Sequence, residues 1–399
     1  MTCCLNNNGS MNILFVTRSL MTGGVSIVSV ILANNLAKRG YNVSLFILSQ
    51  NLGEQRKKVD EKVDVFYGDG IEYNRKNVEL LRGILKNKSI DIVINQWGLH
   101  WMNIKLIRKA QGNKPIKVFS VYHNDPASNG RLQTINIKLE KAKSKIEKIF
   151  LDLQKRFVKF VTSKSMLYVY NHSDKYLLLS RCYIDNFKDF VKISNINKLD
   201  VQTNPITIDA TFDENELSGK EKTIIYIGRL DSIQKRVSRI LQAWSLLEKD
   251  NKDWKLKIVG DGEEKKHLEE LIRDYDLHNV SLEGFRNPVE FYRKASILVL
   301  ASEFEGFPLV LPESMSFGVV PVVYASYPAV YDIIEDKIDG LILPYNTQGF
   351  DPHDFAFLLQ SLMRLPNMDL LQMQKKAIEK SKNYSIDVII KQWEEKFKQ

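Results

Sequence analysis

Short apolar or β-branched runs alternate with longer segments of helical spacing from Met11 almost to the C-terminus. The runs lie at 12–17, 42–48, 90–95, 116–122 and 176–180, then at 223–228, 254–260, 279–284, 296–301, 319–323 and 340–344. Most are apolar throughout rather than alternating, as expected of strands covered on both faces by crossover helices. The pattern predicts an α/β chain with two open parallel sheets.

The divide falls in 200–221, where Asn204-Pro205 precedes a polar, acidic stretch (Asp209, Asp213, Glu214, Glu216) with neither helical nor strand period. The expected domains are therefore 11–205 and 206–385, both Rossmann-like. Residues 386–399 form a further helix with Ile386, Ile389, Ile390, Trp393 and Phe397 on one face, expected to cross back onto the first domain. Residues 1–10 read as a disordered leader without a function. Open parallel sheets bind ligands at the carboxyl ends of their strands, which makes the cleft between the two domains the expected site.

With 44% hydrophobic and 26% charged residues over 399 positions, the chain has the composition of globular protein, not of disorder, collagen or coiled coil. It has no run of eighteen apolar residues, and its start lacks the order of a signal peptide, so a cytoplasmic protein that neither spans a membrane nor is exported is expected. Cys3, Cys4 and Cys182 form no metal or disulfide pattern. Charge is unevenly spread. Residues 1–205 carry 32 Lys+Arg against 16 Asp+Glu, and residues 206–399 carry 25 against 32, which makes +16 and −7 of the total +9. A basic half suggests an anionic surface as partner, either nucleic acid or a phospholipid leaflet.

Part of that charge falls on 134–161, read as one amphipathic helix. Leu139, Ala142, Ile146, Ile149, Phe150, Leu153, Phe157 and Phe160 recur at three- and four-residue steps opposite a lysine-rich face. Such a helix either lies on anionic lipid or packs on the sheet with a solvated basic side. Because the phenylalanines fall opposite most lysines, base stacking is disfavoured and nucleic acid is not expected as a partner.

The second half carries the chemistry. After the run 296–301 comes Ser302-Glu303-Phe304-Glu305-Gly306-Phe307-Pro308-Leu309-Val310-Leu311-Pro312-Glu313-Ser314. Glu305 is placed in a strand-to-helix loop, Gly306 lets backbone amides approach a ligand, and Pro312 suits a first helical turn, which puts Glu313 near the positive helix end. A loop acid and a capping acid would look the same. Gly228 ends a run and is followed by Arg229 and Lys235, a guanidinium fork and a point charge suited to a diphosphate. Gly260-Asp261-Gly262 follows another run, with Asp261 read as a helix N-cap. In the first half, Gly23-Gly24 opens a helical stretch whose N–H groups suit a phosphate, and His123 ends the run 116–122.

Taken together these pieces resemble the retaining nucleotide-sugar glycosyltransferases of glycosyltransferase family 4, with the GT-B fold of two Rossmann-like domains. The resemblance covers Met11 to about Lys382. The family's Glu-x7-Glu looks to be Glu305 to Glu313, its Gly-Arg-Leu and lysine look to be Gly228-Arg229-Leu230 and Lys235, and its Gly-x-Gly turn resembles Gly260-Asp261-Gly262. Leu282-Glu283-Gly284-Phe285 and Gly318-Val319-Val320-Pro321 also have the family look.

The resemblance implies transfer of a sugar, with retention, from an NDP-sugar (UDP-sugar favoured) to a glycan or lipid-linked acceptor, without metal or other cofactor. With the basic first half and the absent export signal, the expected task is cell-surface polysaccharide or glycolipid synthesis at the inner face of a membrane. It implies an acceptor-binding first domain and a donor-binding second domain. It implies catalytic roles for His123, Glu305, Arg229 and Lys235. Donor contacts are implied for Gly24, Gly228, Arg229, Lys235, Gly260, Glu305, Gly306, Phe307, Leu309, Val310 and Glu313. Two positions depart from the family: Arg236 stands where many members carry glycine, and Val25-Ser26 replaces the usual polar or acidic neighbours of Gly24.

Three other readings touch parts of the same sequence. Paired carboxylates of a glycosidase leave the cations without a role. The Asp-x-Asp of a metal-dependent transferase matches Asp274-Tyr275-Asp276, but at a helix end rather than after a strand. A non-catalytic nucleotide- or nucleic-acid-binding protein on a GT-B-like fold is the alternative from outside enzymology.

Overall fold

A computed structural model describes residues 10–21, 23–49, 53–71 and 73–399. The expected leader therefore lies, apart from Ser10, outside the described residues, as do Cys3 and Cys4. The chain divides into two compact units. One comprises the chain up to Ala127 with Ile135–Thr207 and Ile386–Gln399, and the other comprises Ser128–Thr134 and Ile208–Ser385.

The first unit is built on β1 (Asn12–Thr17), β2 (Asn42–Ile47), β3 (Asp64–Tyr67), β4 (Ile92–Asn95), β5 (Lys117–Tyr122), β6 (Lys175–Leu178) and β7 (Leu199–Val201), in the order β3-β2-β1-β4-β5-β6-β7. All neighbours are parallel, with Ile13 level with Val43 on one side and Ile92 on the other. The second unit holds β8 (Glu221–Ile227), β9 (Lys255–Val259), β10 (Val280–Gly284), β11 (Ala295–Leu300), β12 (Val320–Tyr324) and β13 (Leu341–Leu343), in the order β10-β9-β8-β11-β12-β13 and again parallel. Each sheet reverses its winding direction beside its first strand, between β1 and β4 and between β8 and β11. At such a point the two following loops diverge and leave a crevice at the strands' carboxyl ends.

The central strands are dry, and Ile13, Leu14, Phe15 and Val16 have no exposed surface. Their continuous apolar runs made them visible in sequence. Two edge strands, β3 and β7, were not foreseen. They are short, and all but the exposed Asp64 are only half covered, so their sequences lack the doubly buried run.

The single helix expected over 134–161 is instead two, Gly130–Lys141 and Lys145–His172. The break is made by Ser144, whose side chain accepts a hydrogen bond from the Ile146 N–H and starts the second helix as its N-cap. The expected apolar face divides as well. Leu139 and Ala142 pack with Ile135, Leu151 and Val158, whereas Ile146, Ile149, Phe150, Leu153, Phe157 and Phe160 are exposed.

The last helix, Ile386–Lys398, belongs to the first unit. Its Ile389, Ile390, Trp393 and Phe397 are buried, and Phe397 stacks 6.4 Å from Phe119 of β5. Lys396 pairs with Asp200 at 2.8 Å, and Arg39 pairs with Asp387 at the same distance. Among the described residues, no helix is long and apolar enough to cross a membrane.

Candidate active site

The loops after β8, β9 and β10 are stitched together by their backbones. The Gly228 N–H donates to the Val259 carbonyl, the Leu230 N–H to the Asp261 carbonyl, and the Gly260 N–H to the Gly284 carbonyl. This closeness explains the Gly-x-Gly turn. Gly260 has φ +146°, and a Cβ there would run into the carbonyl oxygen of Gly228, while one on Gly262 would strike that of Leu230. Gly260→Ala is therefore expected to destabilise the second unit by about 3 kcal/mol or more, seen as a thermal midpoint lowered by several degrees.

Within the stitched β8 loop, Asp231 is the organiser. One carboxylate oxygen accepts from the Ile233 and Gln234 N–H groups, its backbone carbonyl accepts from those of Lys235 and Arg236, and its other oxygen pairs with Arg229 at 2.7 Å. Arg229 is thereby aimed although its side chain is 62% exposed. Tyr226 supports the same turn by donating its hydroxyl to the Arg229 carbonyl at 2.9 Å. Burial, reinforced by Glu305, Glu264 and Asp231, pushes the Tyr226 phenol well above its usual range, so it remains a donor.

Lys235 Nζ lies 2.5 Å from Glu305 Oε1, with the carboxylate side chain 6% exposed. The adjacency of β8 and β11 brings together residues 70 positions apart in the chain. Gln234 joins the two loops further: its side-chain amide donates to Glu305 Oε2 and to the Phe304 carbonyl, and its own carbonyl accepts from the Glu303 N–H. Arg239 clamps the base of the β11 loop through the Ala301 carbonyl at 3.1 Å and Glu303 at 2.6 Å.

Glu313 sits in the first turn of the helix Val310–Met315 and is 6% exposed. The Tyr292 hydroxyl lies 3.4 Å from Glu313 Oε2 and donates toward it. Gly306 is buried, and Leu309 and Val310 are half-buried at the start of that helix. Phe307 is buried, and its ring packs 5.5 Å from that of Tyr384.

One local expectation is corrected. Asp261 is not a helix N-cap: its side chain bonds the Gly262 N–H, and the following helix begins only at Lys265, with Glu264 as the flanking residue. Glu264, 3% exposed, instead accepts from the Val237 and Ser238 N–H groups and so caps the neighbouring helix Ser238–Ser245. Arg236 has φ +50°, a left-handed conformation that glycine adopts without strain, which accounts for the glycine expected there. Asp274 ends the helix Lys265–Asp274 and is exposed along with Asp276, as a solvated terminus should be.

In the first unit, Gly24 is the first residue of the helix Gly24–Lys38, which has no side-chain cap and no acid in its first turn. His123 follows β5 and meets Gln96, which follows the neighbouring β4: His123 Nε2 is 2.7 Å from Gln96 Oε1. Desolvation lowers the His123 pKa to about 4, so the ring is neutral at pH 7, and with Nε2 donating to Gln96 its Nδ1 is an acceptor. A histidine held neutral in the folded state opposes protonation that the unfolded chain accepts below about 6.5. Its contribution is therefore complete above pH 6.5 and is lost as pH falls toward 4, by at most about 1.4 kcal/mol per pH unit. His123→Asn is expected to flatten that part of the stability-against-pH curve measured by denaturant unfolding.

Two family descriptions match the chain, one to each half. "Glycosyltransferase Family 4" matches residues 22–209, and "Glycosyl transferases group 1" matches residues 207–384. The chain belongs to the family-4 glycosyltransferases. It is 28% identical over 387 residues to an uncharacterised glycosyltransferase of Haemophilus influenzae, covering 95% of this chain and 97% of the relative. It is 27% identical over 395 residues, 96% of this chain and 97% of the relative, to a Campylobacter jejuni α-1,4-N-acetyl-D-galactosaminyltransferase acting on GalNAc-α-(1→4)-GalNAc-α-(1→3)-diNAcBac-PP-undecaprenol. A solved structure of Staphylococcus aureus TarM, in complex with Fondaparinux, α-GlcNAc-glycerol and UDP, superimposes with a TM-score of 0.71 at 14% identity, covering 98% of this chain and all of the other. The fold of this family-4 glycosyltransferase is GT-B: two parallel-sheet α/β units, with a helical C-terminus that returns to the first.

Sequence reading named Arg229, Lys235, Glu305 and Glu313 but missed Asp231, Gln234, Arg239 and Glu264. An Asp two residues after an arginine is a turn former whose target cannot be read from spacing. The other three act on loops more than twenty-five positions away.

Proposed function

We propose that this glycosyltransferase moves a sugar, with retained anomeric configuration, from an NDP-sugar to a glycan or lipid-linked acceptor, and that UDP is the nucleotide. The carrying observation is the loop pair at the β8/β11 switch point: Arg229, aimed by Asp231, beside Lys235, paired with Glu305. Breaking the anomeric C–O bond places negative charge on the departing diphosphate, and fixed cations there lower the barrier. In this reading Arg229 and Lys235 bind the diphosphate and supply the charge stabilisation without a metal. Glu305 orients the sugar through its hydroxyls, and Glu313 accepts from the ribose hydroxyls. Backbone groups of Gly228, Gly260, Gly306, Phe307, Leu309 and Val310 line the donor, and the uncapped start of the Gly24 helix meets phosphate. His123, neutral, accepts a hydrogen bond from substrate at Nδ1.

The similarity to an enzyme whose name carries PP-undecaprenol supports a lipid-linked acceptor, and the UDP in the TarM structure supports the nucleotide. The place of action is then the cytoplasmic face of a membrane. The cations favour this reading over a glycosidase, in which they have no role.

Thermal unfolding with UDP-, GDP- and ADP-sugars tests the donor. A UDP-sugar at about 100 times its dissociation constant is expected to add about 2.7 kcal/mol of stability. Protection by none of the three contradicts the proposal. The NMR coupling of the new anomeric proton then decides retention against inversion.

A further inference from the structure

The helix Lys145–His172 has two different halves. Its C-terminal half is anchored: Met166 and Val169 have no exposed surface, and the Ser165 hydroxyl donates to the Leu99 carbonyl at 2.6 Å while accepting from the Trp101 N–H at 3.1 Å. Its N-terminal half turns a row of large apolar side chains to solvent. Ile146 is 80% exposed, Phe150 66% and Phe157 67%, with Ile149, Leu153 and Phe160 close to 60% each. At 100° per residue these six fall within an arc of about 100°, over about 21 Å of helix. Exposed apolar side chains scattered singly are ordinary, but a continuous preformed stripe is not.

The charge beside the stripe selects its occupant. Lys145, Lys148, Arg156 and Lys159 are exposed and lie along one flank, against Glu147 and Asp152, the latter paired with Arg156 at 2.8 Å. Two copies of this helix packed antiparallel, stripe to stripe, would bring their cationic flanks together. An anionic bilayer accepts both features, with the apolar residues entering the boundary of the acyl chains and the lysines remaining among lipid phosphates.

We infer that the exposed stripe of residues 146–160 docks the protein on an anionic lipid bilayer, with the helix lying in the plane of the surface. This inference needs only that surface and does not depend on the donor chemistry. Because the far half of the helix is already packed, binding requires no folding of the segment.

Flotation of the full chain with phosphatidylcholine vesicles, with and without about one third phosphatidylglycerol, tests it. At low ionic strength the wild type is expected to float with the anionic vesicles and to bind the neutral ones at least tenfold more weakly. The double variant Phe150→Glu/Phe157→Glu changes only exposed positions, and circular dichroism verifies its fold. It is expected to lose at least tenfold in binding to anionic vesicles while transferring sugar to a soluble acceptor at the wild-type rate. Lys148→Glu/Lys159→Glu is expected to weaken anionic binding and its dependence on salt.

Failure of the wild type to float at low salt overturns the inference, as does equal binding by the Phe150/Phe157 variant. A lipid-free dimer abolished by that variant assigns the stripe to a second copy and also overturns it. Intact docking by a protein that transfers no sugar leaves this inference supported and fails the donor reading alone.

Discussion

Arg229→Ala is expected to lower kcat by about 10²–10³-fold, roughly 3–4 kcal/mol of transition-state stabilisation, with little change in melting temperature. The two parts of this expectation come from one geometry. The guanidinium is 62% exposed and its partner is the Asp231 carboxylate, so its removal opens no cavity. Charge on a leaving diphosphate grows as the anomeric bond breaks, so kcat falls more than affinity for the intact donor, whose diphosphate carries less charge than free UDP. Arg229→Lys keeps the charge but loses the planar fork and is expected to recover only part of the rate. Asp231→Asn keeps the turn's acceptor oxygen while loosening Arg229, so a smaller rate loss is expected.

Lys235→Ala combines two effects. The lysine is one partner of an ion pair whose other member, Glu305, is 6% exposed, and deleting one side leaves a buried carboxylate without its counter-ion. A stability loss of about 3 kcal/mol, read as a lower thermal midpoint, is expected alongside a rate loss of about 10²–10³-fold. Glu305→Gln separates the two. It retains hydrogen-bonding capacity toward Lys235 and Gln234 and is expected to keep most of the stability while losing sugar orientation and therefore rate. A Lys235→Ala protein as stable as the wild type would show that the pair does not hold the β11 loop.

What the sequence revealed and what it hid follow from the same physics. The central strands were legible because both faces are dry and their runs are apolar without interruption; β3 and β7, half covered at the sheet edges, carry no such mark. Arg229 and Lys235 were legible as cations suited to an anionic ligand at a strand end, and Glu305 as an acid in the loop after another strand. Their mutual positions were not, because the meeting of Lys235 with Glu305 depends on β8 and β11 being neighbours, a property of strand order rather than of local spacing. The long amphipathic segment shows the limit from the other side. Its periodicity was clear, but periodicity cannot tell a face that meets the sheet from one that meets solvent, and a single serine at position 144 divides the two helices.

The proposed mechanism stands on Arg229 and Lys235 gripping a diphosphate. Calorimetric titration of the wild type and the Arg229→Ala protein with UDP and with uridine measures that grip. The wild type is expected to bind UDP about 100-fold more tightly than uridine, a difference near 2.7 kcal/mol, and Arg229→Ala to remove most of that preference while leaving uridine binding unchanged. Equal affinity of the wild type for UDP and uridine, or an undiminished preference in the variant, would contradict it.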